Sequence, residues 1–262
     1  MLNLLFFVIA LSASTLGAIS GIGGGVIIKP ALDSFHVMPV TTISFLSGCT
    51  VLSMSMYSSI HSIVTKEHGL ELKVTLPLGM GAVIGGAIGK TAFRRISTMS
   101  PNAELVGAIQ SACMVVLIFL VILYTIFERG IQTQRVKNSV VIVLIGITMG
   151  IISSFLGIGG GPINLVVLSY FFSFEIKTCA LNSLSIILLS QLSSLTTTLI
   201  TGSVPPFQPI VLILMIAGGL LGGIIGRSIH KHMRSKTIHI LYIATMLVIA
   251  FLSMRNLYSF LG

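Results

Sequence analysis

The sequence predicts an all-α integral membrane protein of about eight transmembrane helices, in two four-helix repeats with glycine-broken helices. Three observations predict it. First, 54% of the 262 residues are hydrophobic and only 8% are charged, and the mean hydropathy is +1.06. A soluble domain carries roughly 25% charged residues, so this chain cannot coat a globule with polar surface. Second, apolar runs recur evenly along the chain, each near the ~20 residues that a span requires. Third, the glycine-dense string GIGGG occurs twice, at 21–25 and 157–161. Glycine is a poor residue for a helix interior, so both strings mark interruptions.

The apolar segments fall in order at about 2–28, 39–64, 72–92, 103–127, 138–156 with a continuation at 162–174, 178–201, 208–229 and 237–258. Residues 2–20 form the first span rather than a signal peptide, because no charged region precedes them and the run is too long. The linkers have loop chemistry: TKEHGLELK (65–73), RRISTMSPN (94–102), ERGIQTQRVKNS (128–139) and GSVPPFQP (202–209). The most polar of them lies at the middle of the chain and invites a test for duplication. GMGAVIGGAIGK (79–90) aligns with IAGGLLGGIIGR (216–227), and GIGGG repeats at nearly the same offset. The division expected is 1–130 and 131–262, one transmembrane repeat each, as in many transporters.

The formal net charge of +9 comes from 15 Lys and Arg against 6 Asp and Glu. In a soluble protein this would suggest nucleic acid. Here the cations cluster in short loops, so membrane topology explains them and no nucleic-acid partner is expected. If eight spans alternate, one side holds Lys29, Lys90, Arg94, Arg95, Lys177, Arg227, Lys231, Arg234 and Lys236. The other holds Lys66, Lys73, Arg129, Arg135, Lys137 and Arg255. The richer side is expected in the cytoplasm, which puts both termini outside the cytoplasmic membrane and makes the repeats parallel. Cys49, Cys113 and Cys179 have no metal-ligand spacing and are expected as packing residues. No metal or cofactor is expected.

The glycines of the third and seventh spans serve packing. Gly81, Gly85 and Gly89 are four apart and line one helix face, as do Gly218, Gly222 and Gly226. Small residues let helix backbones approach closely in lipid, and the two stripes are candidates to pack on each other. GIGGG has different spacing. Gly21, Gly23, Gly24 and Gly25 make no stripe, nor do Gly157, Gly159, Gly160 and Gly161. Broken backbone at membrane depth must be enclosed by protein or line a watery cavity. Pro162 suits the first turn of a new helix. Each string therefore reads as span, unwound loop, short helix, whose free N–H groups and dipole favour an anion. The alternative is a break that only permits tight packing.

Polar residues inside the spans supply side-chain candidates: Thr41, Thr42, Ser44, Ser47 and Thr50 in the second, and Asn182, Ser183, Ser185, Ser190 and Gln191 in the sixth. Helix packing explains most hydroxyls. Asn164 and Asn182 are stronger candidates, because an amide is costlier in hydrocarbon. Lys29 either snorkels to the interface or draws an anion inward. The acidic residues sit at loop or span-end positions, with no carboxylate relay. There is no ATP-binding motif and no reactive constellation, so no enzyme is expected.

GIGGGVIIKPAL (21–32), its copy GIGGGPINLVVL (157–168) and the glycine-striped helix ends at 81–90 and 218–227 resemble the sulfite exporter TauE/SafE family of membrane permeases. The family pattern carries a proline shortly after each glycine string. Pro30 fits it, whereas the second copy has Leu165 or Val166 there, with Pro162 and Asn164 nearby. The resemblance implies transport of a small anion such as sulfite or an organosulfonate. The expected substrate contacts are Gly21, Gly23, Gly24, Gly25, Lys29, Thr41, Ser44, Gly157, Gly159, Gly160, Gly161, Asn164, Asn182 and Ser183. A passive anion channel, an intramembrane enzyme and an assembly factor are the alternatives. Membrane lipid is the other expected partner, and homo-oligomerisation is left open.

Overall fold

The computed structural model describes residues 2–35, 37–65, 67–99 and 103–261. Lys66, invoked above for orientation, and residues 100–102 of the linker at 94–102 lie outside them. The described residues form ten α-helices and one 3-10 turn (Glu128–Gly130), with no strand among them. The helices are α1 (Leu2–Ser20), α2 (Gly25–Asp33), α3 (Val40–Val64), α4 (Leu72–Met99), α5 (Ala103–Phe127), α6 (Ser139–Leu156), α7 (Gly161–Phe172), α8 (Ile176–Ile200), α9 (Pro209–His232) and α10 (Ser235–Leu261). The order long, short, long, long, long occurs twice.

Eight of these helices are long and apolar enough to cross a membrane. The chain is an all-α multi-pass membrane protein. Their ends follow local chemistry. Asn138 caps α6, its side chain accepting from the Val140 N–H, and Pro209 opens α9 where no N–H partner is needed. The two short helices are different. At 1.5 Å per residue α2 and α7 reach about 14 and 18 Å, roughly half of the ~30 Å hydrocarbon core.

The contact order fixes directions. Gly218, Gly222 and Gly226 of α9 meet Phe7, Leu11 and Thr15 of α1 in ascending order, so these helices run parallel. Gly81, Gly85 and Gly89 of α4 meet Val143, Ile147 and Ile151 of α6 in the same way, and Gly146 and Gly150 of α6 answer with Leu78 and Ala82. Here the sequence reading needs correction: the two stripes do not pack on each other. Each packs on the first helix of the opposite half. A glycine stripe announces close approach but carries nothing about the partner's identity.

The short helices turn back. The end of α7 bonds to the strap before α6, through Gln134 N–H to Tyr170 O at 2.7 Å and Val136 N–H to Phe171 O at 3.0 Å. So α7 returns to the end of the bundle where α6 began. Likewise Gly24 lies beside Ser14 of α1, and α3 starts beside α9, with Thr42 Oγ1 donating to Pro206 O. Because α1–α2 and α6–α7 each return to their own side, counting eight alternating spans misplaces the chain between the two breaks, and the second return restores the count. α1, α3 and α9 run one way. α4, α6 and α8 run the other, as Thr75, Gly79 and Gly86 of α4 meet Asn182, Leu189 and Ser190 of α8. Gly48 of α3 meets Leu195 of α8, whereas Gly69, just beyond α3, meets Thr178 near its start, so this pair is antiparallel. The two halves are inverted, not parallel.

Candidate functional site

The centre of the bundle is where the two glycine breaks meet. Each first helix ends on a left-handed residue, Gly21 at φ 76° and Gly157 at φ 69°. That conformation is open to glycine and strained for other residues. The chain then unwinds for three residues and starts α2 at Gly25 and α7 at Gly161. Gly161 sits against the backbone of Ile22, and Gly25 against the carbonyl of Ile158. The breaks therefore enclose each other. Val51 of α3 and Ile187 of α8 close the sides, lying against both Gly23 and Gly159. Ile22, Ile158, Val51 and Ile187 are fully buried. The lipid argument is met: unwound backbone at this depth is covered by protein.

Two helix N-termini thus converge from opposite directions. Gly24 and Gly160 occupy the N-cap positions, and neither provides a side-chain cap. The Ile27 N–H turns back to the Gly24 carbonyl at 3.0 Å, and the other first-turn N–H groups are left to water or a ligand. Around them lie buried hydroxyls. Ser14 faces Gly24, Ser47 faces Gly25, Ser44 faces Gly157 and Ser153 faces Gly160. All four hydroxyl oxygens, and Nδ2 of Asn164 beside Gly160, lack a hydrogen-bond partner. Asn164 is only 2% exposed. Buried polar groups are normally paired, so a cluster of unpaired ones at two helix N-termini is out of the ordinary.

The remaining expected residues are placed as follows. Ser183 donates to the Gly21 carbonyl at 2.7 Å and pins the first break to α8. Asn182, one residue earlier, turns away. Its Oδ1 accepts from the Glu71 N–H and Thr75 Oγ1, and its Nδ2 donates to the carbonyls of Gly69 and Thr178. That amide is fully committed to clamping α8 onto α4 and its preceding loop. Thr41 lies half-buried on the first turn of α3, whereas the breaks rest on Ser47 and Val51 further along. Lys29 neither snorkels nor points free. It is 4% exposed, with Nζ 2.7 Å from Gln110 Oε1 and 3.3 Å from Asp33 Oδ2, and its stem reaches Gly157.

Ser14, Ser153, Gln110 and Asp33 were missed in the sequence. Asp33 looked like a loop residue, but it ends α2 and is buried. The signal for Ser14 and Ser153 was faint but present. They lie at 14 and 153, within two turns of the glycine strings, on the helices that lead into them. Elsewhere the buried Arg227 of α9 bonds His61 Nδ1, the Ser58 carbonyl and Glu67, tying α9 to the end of α3. No group of three or more potential metal ligands occurs among the described residues.

No solved structure matches the chain. Among curated proteins it is 24% identical over 259 residues to "Probable membrane transporter protein YunE" of Bacillus subtilis (strain 168), covering 88% of this chain and 89% of that one. The family described as "Sulfite exporter TauE/SafE" matches residues 6–253, from the first turns of α1 to well within α10. That match takes in both glycine breaks and both striped helices, so the chain belongs to the sulfite exporter TauE/SafE family of membrane transporters.

Proposed function

We propose that this transporter carries a small anion, of the sulfite or organosulfonate class, held between the two glycine breaks. The observation that supports this best is the convergence of two uncapped helix N-termini on a buried cluster of unpartnered hydroxyls. Free N–H groups and the positive ends of two helix dipoles stabilise negative charge. Gly23–Gly25 and Gly159–Gly161 bring that backbone close, and Ser14, Ser44, Ser47, Ser153 and Asn164 supply further donors. Lys29 contributes positive potential from one side while its ammonium stays with Asp33 and Gln110. The inverted halves suit alternating access, each half opening the site to one side.

Orientation follows from charge. The end of the bundle with Lys73, Arg135, Lys137, Lys177, Arg227, Lys231, Arg234 and Lys236 faces the cytoplasm. The end with Lys90, Arg94, Arg95 and Arg255, where α1 begins and α10 ends, faces outward. The sets differ from those counted on eight alternating spans, yet the termini come out on the same side.

A thermal-shift screen of the purified protein tests the ligand class, because a ligand that binds only the folded state raises its melting temperature. Sulfite, small sulfonates, sulfate and small carboxylates are the probes. A shift with sulfite or a sulfonate is expected, and no shift with any of them overturns the anion site. Counterflow in proteoliposomes then separates a carrier, which shows it, from a channel, which does not.

A further inference from the structure

The two halves are not in the same state. A cavity of about 520 Å³ lies among α5, α7, α8 and α10, lined in part by Glu128, Leu165, Ser169, Lys236, His239 and Tyr242. It opens at the end of the bundle that carries Lys236. The inverted arrangement places a counterpart at the opposite end, among α2, α5 and α10. There the space shrinks to about 10 Å³, between Lys29, Asp33, Gln110, Ser253 and Asn256.

The residues account for the difference. At the closed end α2 is tied to both neighbours. Lys29 bonds Gln110 of α5 at 2.7 Å and Asp33 at 3.3 Å. Asn256 of α10 donates to the Pro30 carbonyl at 2.9 Å and accepts from Ser34 at 2.7 Å. The glycine strings repeat at an offset that puts Leu165 where Lys29 stands and Ser169 where Asp33 stands. Leucine and serine cannot form the same bridge. The side-chain bonds from α10 and α5 to α7 are long, Tyr242 Oη to the Pro162 carbonyl at 3.4 Å and Tyr124 Oη to Ser169 Oγ at 3.3 Å.

We infer that the cavity beside Ser169 is the vestibule leading to the central site, and that Lys29, Asp33, Gln110 and Asn256 form a latch closing the opposite route. The inference rests on the central-site reading for what passes through. The latch is asymmetric: Leu165 and Ser169, which stand on α7 where Lys29 and Asp33 stand on α2, carry no charge. Passage to the N-terminal end requires Lys29 to leave Gln110, and Asn256 to release the end of α2.

Thiol labelling tests this on the full-length protein in membrane vesicles of both orientations. Ser169→Cys and Ser253→Cys are made separately, with the native cysteines kept. A membrane-impermeant methanethiosulfonate is applied, and the modified peptides are resolved by mass spectrometry. Ser169→Cys reacts from the Lys236 face, and Ser253→Cys is protected from both faces. Adding Asp33→Asn, or independently Asn256→Ala, raises Ser253→Cys labelling from the N-terminal face by about tenfold, the scale of losing one strong hydrogen bond. Equal labelling of the two cysteines without latch changes overturns the proposal. So does a Ser253→Cys rate that neither latch substitution alters in folded protein. The reagent is cationic and no sulfite or sulfonate is added, so this result stands or falls apart from the thermal-shift result.

Discussion

Gly161 and Ile22 meet backbone to backbone: a side chain on Gly161 would fall inside the Ile22 carbonyl group. One half of the chain thus fits into the other at the point where both are unwound. Gly161→Ala is expected to separate the two breaks and cost roughly 1–3 kcal/mol or more, the usual penalty of overpacking. Gly130→Ala, with nothing within 4 Å of the added carbon, is the control. Melting in detergent, followed by size-exclusion chromatography, checks both. Equal melting temperatures would mean that the breaks do not touch.

The striped helices give a second comparison. A Cβ on Gly85 would strike the Ile147 carbonyl, and one on Gly222 would lie 2.6 Å from the Leu11 carbonyl. Both alanine variants are expected to lower the melting temperature, by roughly 1–3 kcal/mol each. A double variant should lose about the sum, because α4–α6 and α9–α1 are separate contacts and distant sites add. A strongly non-additive loss would show that the two pairs are coupled.

Asn164 separates binding from stability. Its Nδ2 is buried without a partner, so Asn164→Leu removes an unsatisfied donor and is expected to change stability by less than about 1 kcal/mol. The shift produced by the bound anion should shrink, reflecting about tenfold weaker binding. A variant that melts as wild type and keeps the full anion shift would remove Asn164 from the site.

Asn182 is expected to behave in the opposite way. Asn182→Leu strands the Glu71 N–H and the Thr75 hydroxyl, at a cost of roughly 1–3 kcal/mol. The surviving folded protein should still respond to anion in full. Loss of the anion response without loss of stability would place Asn182 at the substrate after all.

Arg227 uses three directions of its guanidinium, toward His61, Ser58 and Glu67. Lysine carries the charge but not that fork. Arg227→Lys is expected to destabilise by roughly 1–2 kcal/mol and loosen the end of α3. Faster hydrogen exchange around residues 58–64 is the readout, and unchanged exchange would show that charge alone suffices there.

Hydropathy made the eight spans legible, because lipid leaves a helix few other ways to satisfy its backbone. The breaks at Gly21–Gly25 and Gly157–Gly161 were legible for a related reason: clustered glycine is incompatible with a continuous helix. Direction was not. Whether nine residues after a break go forward or back depends on what the chain meets, and Gly25–Asp33 returns because Ile158 and Val51 await it at mid-depth. Nor could the sequence distinguish Asn182 from Asn164. Both are amides in apolar helices, and only the neighbouring carbonyls of Gly69 and Thr178 satisfy one and leave the other. Lys29 was visible as an odd charge. Its partner Gln110 lies some eighty positions away and carries no local mark.

The parallel pairing of α1 with α9 has a consequence for how the molecule is made. Leu11 emerges from the ribosome about 200 residues before Gly222, the residue it will rest on. At about 5–20 residues per second that is a wait of roughly 10–40 s. Through that interval the narrow face of α1 has no glycine to meet, and α4 waits similarly for α6. Insertion and assembly are thus separated in time, and the nascent N-terminal half sits in the bilayer unfinished. Severing the chain near residue 134 would leave two fragments that each need the other to complete their first helix pairing.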